Sequence, residues 1–197
     1  MKILILLFLF INLTVSLKSQ DDSVETKLNT FMKIPFGETY QSVKKMKTNF
    51  ESDDSYPLLD CNDCNFGKFN GHIMLKFNTA KQFYMGYVSL TPKEKNLIFE
   101  LYDDVISEIT KKYGKSQFNK ETFKYPFESE GRKYATISVP TSDVSSFWVF
   151  KSENNDGNSC IILVRIRDDF KVSLTYLNQT LYESDSKKNE KKQNQDY

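Results

Sequence analysis

Two cysteines in a C-x-x-C, Cys61 and Cys64, stand shortly ahead of His72, the only histidine of the chain, and a third cysteine, Cys160, lies far downstream. A C-x-x-C can act as a redox pair, supply half of a zinc site, or close a small structural disulfide. Redox chemistry wants the pair at a helix N-terminus that lowers a thiol pKa, whereas LLDCNDCNFGKFNG is rich in Asn, Asp and Gly and reads as loop from Cys61 to Asn70. A zinc site lacks its second pair of ligands, with only His72 nearby and Cys160 remote in sequence. A structural Cys61–Cys64 disulfide is therefore expected, the alternative being that Cys160 pairs with one of the two. Any Ser/His/acid or Cys/His nucleophile would have to use His72, which alternates with Ile73 and Leu75 and so reads as an exposed sheet residue.

Carboxylates offer no better constellation. Asp53-Asp54, Asp103-Asp104 and Asp168-Asp169 are adjacent pairs, whose side chains point apart in helices and strands, and turns or solvated faces account for them. The oxygen-rich run Asp60, Asn62, Asp63 has Gly71 where a calcium loop needs its closing Glu. No Gly-rich phosphate loop occurs. The sequence thus assigns no catalytic residue, no metal ligand and no cofactor; an enzymatic reading is reduced to an undetected class acting beside the Cys61 to His72 loop.

Aromatic residues offer a different function. Tyr84, Trp148 and Phe150 stand on expected strands in the phase opposite some apolar neighbours, and Tyr and Trp on an open sheet face make effective partner-binding anchors. The same three residues become core if a helix or long loop covers that face.

Met1 to Ser19 reads as a secretory signal, with Lys2 as the charged start and Ile3 to Leu13 as an apolar stretch too short to span a bilayer. Cleavage after Ser19 would leave Gln20 first and place the protein outside the cell or in the periplasm, with no transmembrane segment. No cysteine stands at the cleavage region, which disfavours lipid anchoring. The chain has 27 basic and 26 acidic residues, and losing Lys2 and Lys18 with the leader brings the net charge to about −1. Such a balance provides no field to gather phosphate backbones, so nucleic acid is disfavoured as a partner.

The elements that must position these residues follow from periodicity. Thr91 to Gly114 has the strongest helical pattern, with a Thr91-Pro92-Glu94 start, a stripe of Ile98, Leu101, Val105, Ile109 and Tyr113, and Gly114 as its stop. Thr39 caps a shorter helix through Tyr40, Val43, Met46 or Lys47, and Phe50, while Ser23 to Met32 reads as a short helix or a lead-in arm. Alternation predicts a hairpin of Gly71 to Phe77 with Gln82 to Leu90, then strands over Lys133 to Val139, Ser146 to Lys151, Cys160 to Arg167 and Lys171 to Leu177, with a turn at Asp156-Gly157. Residues 20–182 are read as one α+β domain, an antiparallel sheet packed by one long and one shorter helix. Glu183 to Tyr197 is charged, amide-rich and without apolar pattern, and is expected as a disordered polar tail.

The order helix, strands, helix, strands invites a degenerate tandem repeat of an α-β-β unit. IPFGETYQSVKKM, Ile34 to Met46, resembles the opening of the small outer-membrane-assembly lipoproteins, in which a Phe-Gly pair and a polar cap precede a helix with Val on its inner face. The element order is similar to the β-lactamase-inhibitor-protein-like fold of that family. The resemblance implies a helix-packed antiparallel sheet whose open face holds a protein partner, so an exported non-enzymatic domain engaging a protein or envelope component is the functional expectation.

Overall fold

The computed structural model describes residues 27–53, 56–122, 143–151 and 159–193. In chain order the elements are β1 (Thr30–Phe31), β2 (Ile34–Pro35), α1 (Tyr40–Met46), β3 (Glu51–Asp53), β4 (Leu58–Phe66), β5 (Phe69–Phe77), β6 (Phe83–Leu90), α2 (Ile98–Tyr113), β7 (Phe118–Thr122), β8 (Asp143–Lys151), β9 (Ser159–Ile166), β10 (Val172–Asn178) and α3 (Gln179–Gln193). The main sheet is antiparallel and eight-stranded, ordered β3-β4-β5-β6-β10-β9-β8-β7, while β1 and β2 form a separate two-stranded hairpin. This is an α+β fold, as expected.

Among the described residues the helix-then-strands order recurs, with a larger unit than α-β-β. A helix followed by a four-stranded antiparallel meander occurs twice, as α1 with β3 to β6 and as α2 with β7 to β10. The closing strands of the two units, β6 and β10, pair antiparallel in register from Leu90↔Val172 to Met85↔Leu177, which fuses the meanders into one sheet.

Alternation along most of these strands gives the sheet one buried apolar face. Leu59, Ile73, Leu75, Val88, Leu90, Val164, Ile162, Leu174 and Val172 are all buried there. The stripe Ile98, Tyr102, Val105, Ile109 and Tyr113 of α2 covers it, following a three- and four-residue spacing. Helix α2 is shorter than its sequence pattern suggests. Thr91 and Pro92 do not cap it; Leu90 is still paired with Val172, the chain crosses from sheet to helix layer over residues 91–94, and a 3-10 turn at Lys95–Leu97 precedes the first helical residue. Tyr102 rather than Leu101 consequently joins the buried stripe. The far end behaves as expected: Gly114 has φ 77° and its amide donates to Thr110 O at 2.9 Å. At α1, the Thr39 hydroxyl caps the helix, accepting from the Ser42 amide at 3.3 Å.

Three further expectations are corrected. The lead-in is not helical from residue 27 onward: Thr30 and Phe31 pair with Pro35 and Ile34 around a Met32-Lys33 turn, and Leu28, Phe31 and Ile34 are buried together. The Cys61 to Asn70 stretch is not loop but the end of β4 and the start of β5, turning at Gly67 with φ 60°. The polar segment after Asn178 is helical to Gln193: the Asn178 side chain accepts from the Leu181 amide at 3.0 Å, and the run is dominated by good helix formers. Helix α3 is also tied to the domain, since Tyr182 packs against Tyr84 and the Asp185 carboxylate accepts from the Thr79 amide at 2.9 Å. The expected Lys133 to Val139 strand, the Asp156-Gly157 turn and the Met1 to Ser19 leader lie outside the described residues.

Candidate functional site

The disulfide forms as expected, between Cys61 and Cys64 with Cα atoms 5.9 Å apart. Its position follows from a β-bulge. Cys61 pairs with Ile73 and Cys64 with Gly71, so three steps on β4 oppose two on β5, and Asp63 takes a φ of 55° to accommodate the extra residue. The bulge turns both sulfurs to the same side, onto the helix-covered face, where Asn49 Nδ2 donates to Cys64 Sγ at 3.2 Å. His72 lies in the opposite phase: it opposes Ser89, while its neighbour Ile73 opposes Val88 in the core. The sheet therefore separates His72 from the cysteines, and a Cys–His nucleophile cannot be assembled from them.

His72 instead pairs with the Asp60 carboxylate through Nε2, both side chains being about one-third exposed. His72 borders a cleft of about 400 Å³ that also includes Asn70, Ser89, Thr91 and Lys171. An imidazole held by a carboxylate is two-thirds of a charge-relay arrangement. No hydrogen bond joins Ser89 to His72 among the described residues.

Trp148 and Phe150 are not surface residues. Trp148 is fully buried under the end of α2, its indole N–H donating to Gly114 O at 2.8 Å, and Phe150 meets the Tyr113 ring edge-on at 5.3 Å. The open-face expectation for these two is corrected by phase: even-numbered residues of β8 point to the helices and Phe147 points away. Tyr84 is only half-buried, at the irregular step where Lys76 pairs with Met85 but Phe77 with Phe83, and it stacks on α3 through Tyr182 at 5.9 Å.

The face opposite the helices carries a different apolar set. Register places Met74, Tyr87, Thr175, Leu163, Phe147 and Phe118 in one row across six adjacent strands. A second row, Met85, Leu177, Ile161 and Val149, runs beside it toward α3. These residues are partly exposed, and Phe118 on the edge strand is 64% exposed. A third row is polar: Ser89, Ser173, Arg165, Ser145 and Lys120. Within it Asp143 accepts from Lys120 at 2.9 Å and lies 3.6 Å from Arg165, and Arg167 donates to the Tyr87 hydroxyl at 3.0 Å. Leu163 and Phe147 were visible in the sequence as the alternate phase of β9 and β8; only knowledge of the helix-covered side identifies that phase as the open one.

Among the described residues no group of three or more His, Cys, Asp or Glu is disposed to hold a metal ion, and no helix is long and apolar enough to cross a membrane. Comparison with known proteins finds no matching family model, no similar curated protein and no similar solved structure.

Proposed function

We propose that this is an exported, non-enzymatic binding domain that holds a protein partner on the open face of its sheet. The observation that carries the reading is the Met74 to Phe118 row, a band of apolar and aromatic side chains crossing six strands with cationic residues alongside. A rigid sheet presents such side chains with little loss of conformational entropy on docking, and Tyr, Phe and Met are favoured anchors. Arg165, Arg167 and Lys120 beside the band suit a partner whose apolar patch is bordered by carboxylates. The resemblance of Ile34 to Met46 to outer-membrane-assembly lipoproteins points to an envelope component as that partner.

The test is site-specific photo-crosslinking from Tyr87, Leu163 and Phe147, compared with Glu100 on the exposed side of α2. The expected result is one protein adduct from the three sheet positions, abolished by Leu163→Asp, and none from Glu100. Adducts from Glu100 alone would sink the sheet-face reading. Export is checked by N-terminal sequencing of the secreted protein, which should begin at Gln20.

A second reading rests on the Asp60–His72 pair at its cleft, which would serve an enzyme of a class not evident from motifs. Loss of a measured turnover in His72→Ala, with Leu163→Asp retaining it, would favour that reading.

A further inference from the structure

On the helix side of the molecule a groove of about 680 Å³ opens where the two α-β units meet. Its size falls in the range of small-molecule sites, roughly 300–1,000 Å³. The floor is aromatic. Phe31 stacks on Phe66 at 5.7 Å and lies 5.0 Å from the Tyr176 ring, and Phe66 meets Tyr176 edge-on at 5.9 Å. Tyr113 of α2 closes the other wall.

The mouth is cationic. Lys33 comes from the β1–β2 turn, Lys47 from the end of α1 and Lys112 from the last turn of α2, three separate elements. Lys47 Nζ donates to Met32 O at 3.5 Å, and neither Lys33 nor Lys47 meets a carboxylate among the described residues. Partial burial, followed by the charge of Lys33, holds the Lys47 ammonium below its ordinary pKa. The one carboxylate of the described lining, Glu108, is already engaged by Lys68 at 3.2 Å and Lys111 at 2.8 Å.

Two features set this groove apart from an ordinary surface furrow. Met32 and Lys33 both have positive φ, 51° and 67°, in a tight turn whose two central positions favour Gly or Asn. The chain thus keeps a strained turn that holds the Lys33 side chain at the groove. Tyr176 lines the groove, and its hydroxyl, which makes no hydrogen bond among the described residues, is not sealed from solvent. An aromatic floor with the ammonium groups of Lys33 and Lys47 at its mouth, neither meeting a carboxylate among the described residues, is complementary to one chemical class.

We propose that the groove binds a fatty-acid-like amphiphile, its carboxylate between Lys33 and Lys47 and its alkyl chain along Phe31, Phe66 and Tyr176. The site is separate from the open sheet face, and its test is independent of any protein partner.

The test is titration of the purified protein with decanoate below its micellar concentration, followed by calorimetry and by amide chemical shifts. Saturable binding is expected, with shifts concentrated at Thr30 to Lys33, Phe66 and Tyr176. Lys33→Gly removes the charge while suiting the left-handed backbone, so its fold is not endangered. That variant and Lys47→Gln should each weaken decanoate binding about tenfold, and decyltrimethylammonium should bind at least tenfold more weakly than decanoate to the unaltered protein. Equal affinity for the cationic amphiphile, unchanged affinity in both variants, shifts confined to the open sheet face, or no saturable binding would each overturn the assignment.

Discussion

The Cα of Gly86 lies directly beneath the ring of Phe31, so close that a Cβ at residue 86 would overlap the ring. Gly86 is central in the molecule: it pairs with Leu75 in the first meander and with Tyr176 of the second. Phe31, 1% exposed, seats the β1–β2 hairpin over that junction and stacks with Phe66.

The first prediction follows from this contact. In Gly86→Ala the ring or the central strand must shift, and overpacking of a well-filled core costs about 1–3 kcal/mol. Urea denaturation should show the loss. Phe31→Ala should cost about 3–5 kcal/mol, since it empties a large buried ring site. If the double variant lost the full sum of both, the two residues would not be in contact, because coupled sites deviate from additivity.

How much of this arrangement was readable in advance depends on what local pattern can encode. The hairpin of β5 and β6, the α2 stripe apart from Leu101, its Gly114 stop and the Thr39 cap are local features with strong residue signatures, and they appear in the structure. The open face was misassigned because Phe147 and Trp148 are adjacent aromatics of opposite phase, and nothing local says which side the helices take. The strand at Cys61 to Cys64 was hidden because its bulge breaks the alternation and its exposed positions carry Asn and Asp, residues ordinarily depleted in strands. The groove at Lys33, Lys47 and Lys112 is assembled from three separate segments and has no sequence signature.

Tyr40 supplies the second prediction. It is 4% exposed, its ring meets Phe77 edge-on at 5.1 Å, and its buried hydroxyl has no partner among the described residues. Tyr40→Phe keeps the ring and removes the unsatisfied group, so stability should rise by about 1 kcal/mol. A fall of similar size in the urea midpoint would show that the hydroxyl is satisfied in solution.

The third prediction concerns thiols. Burial pushes the Cys160 thiol up to about 11, so the folded protein should hold almost no thiolate there at neutral pH. Alkylation of Cys160 should be slow in buffer and fast in urea. Without reductant, unfolded protein should titrate one thiol per chain, and three after reduction; three without reductant would refute the Cys61–Cys64 disulfide. Because the bridge closes only a very short loop, Cys61→Ser with Cys64→Ser should cost about 2 kcal/mol, the low end for a native disulfide.

Asp143 carries the last prediction, on acid stability. Its carboxylate holds the exposed edge strand β7 through Lys120, accepts from Ser145 at 3.0 Å, and reaches Arg165 on β9. Partial burial works to raise its pKa, but the bonds from Lys120 and Ser145 and the charges of Arg165 and Lys120 outweigh it, leaving the carboxyl below its ordinary value. A folded-state pKa below the unfolded one adds stability that is complete above the unfolded value and disappears as pH falls through the folded value. The contribution should therefore be present at pH 7 and fade below about pH 4, the ordinary carboxylate range. Asp143→Asn should lower stability at pH 7 by about 0.2–1 kcal/mol, as partly solvated ion pairs do, and should flatten the acid limb relative to the unaltered protein. The same substitution should speed amide exchange along β7 while leaving β5 and β6 unchanged, because Lys120 is held through Asp143 at the edge and the central pair is not. Equal exchange in both strands, or an unchanged acid limb, would show that Asp143 does not anchor the edge.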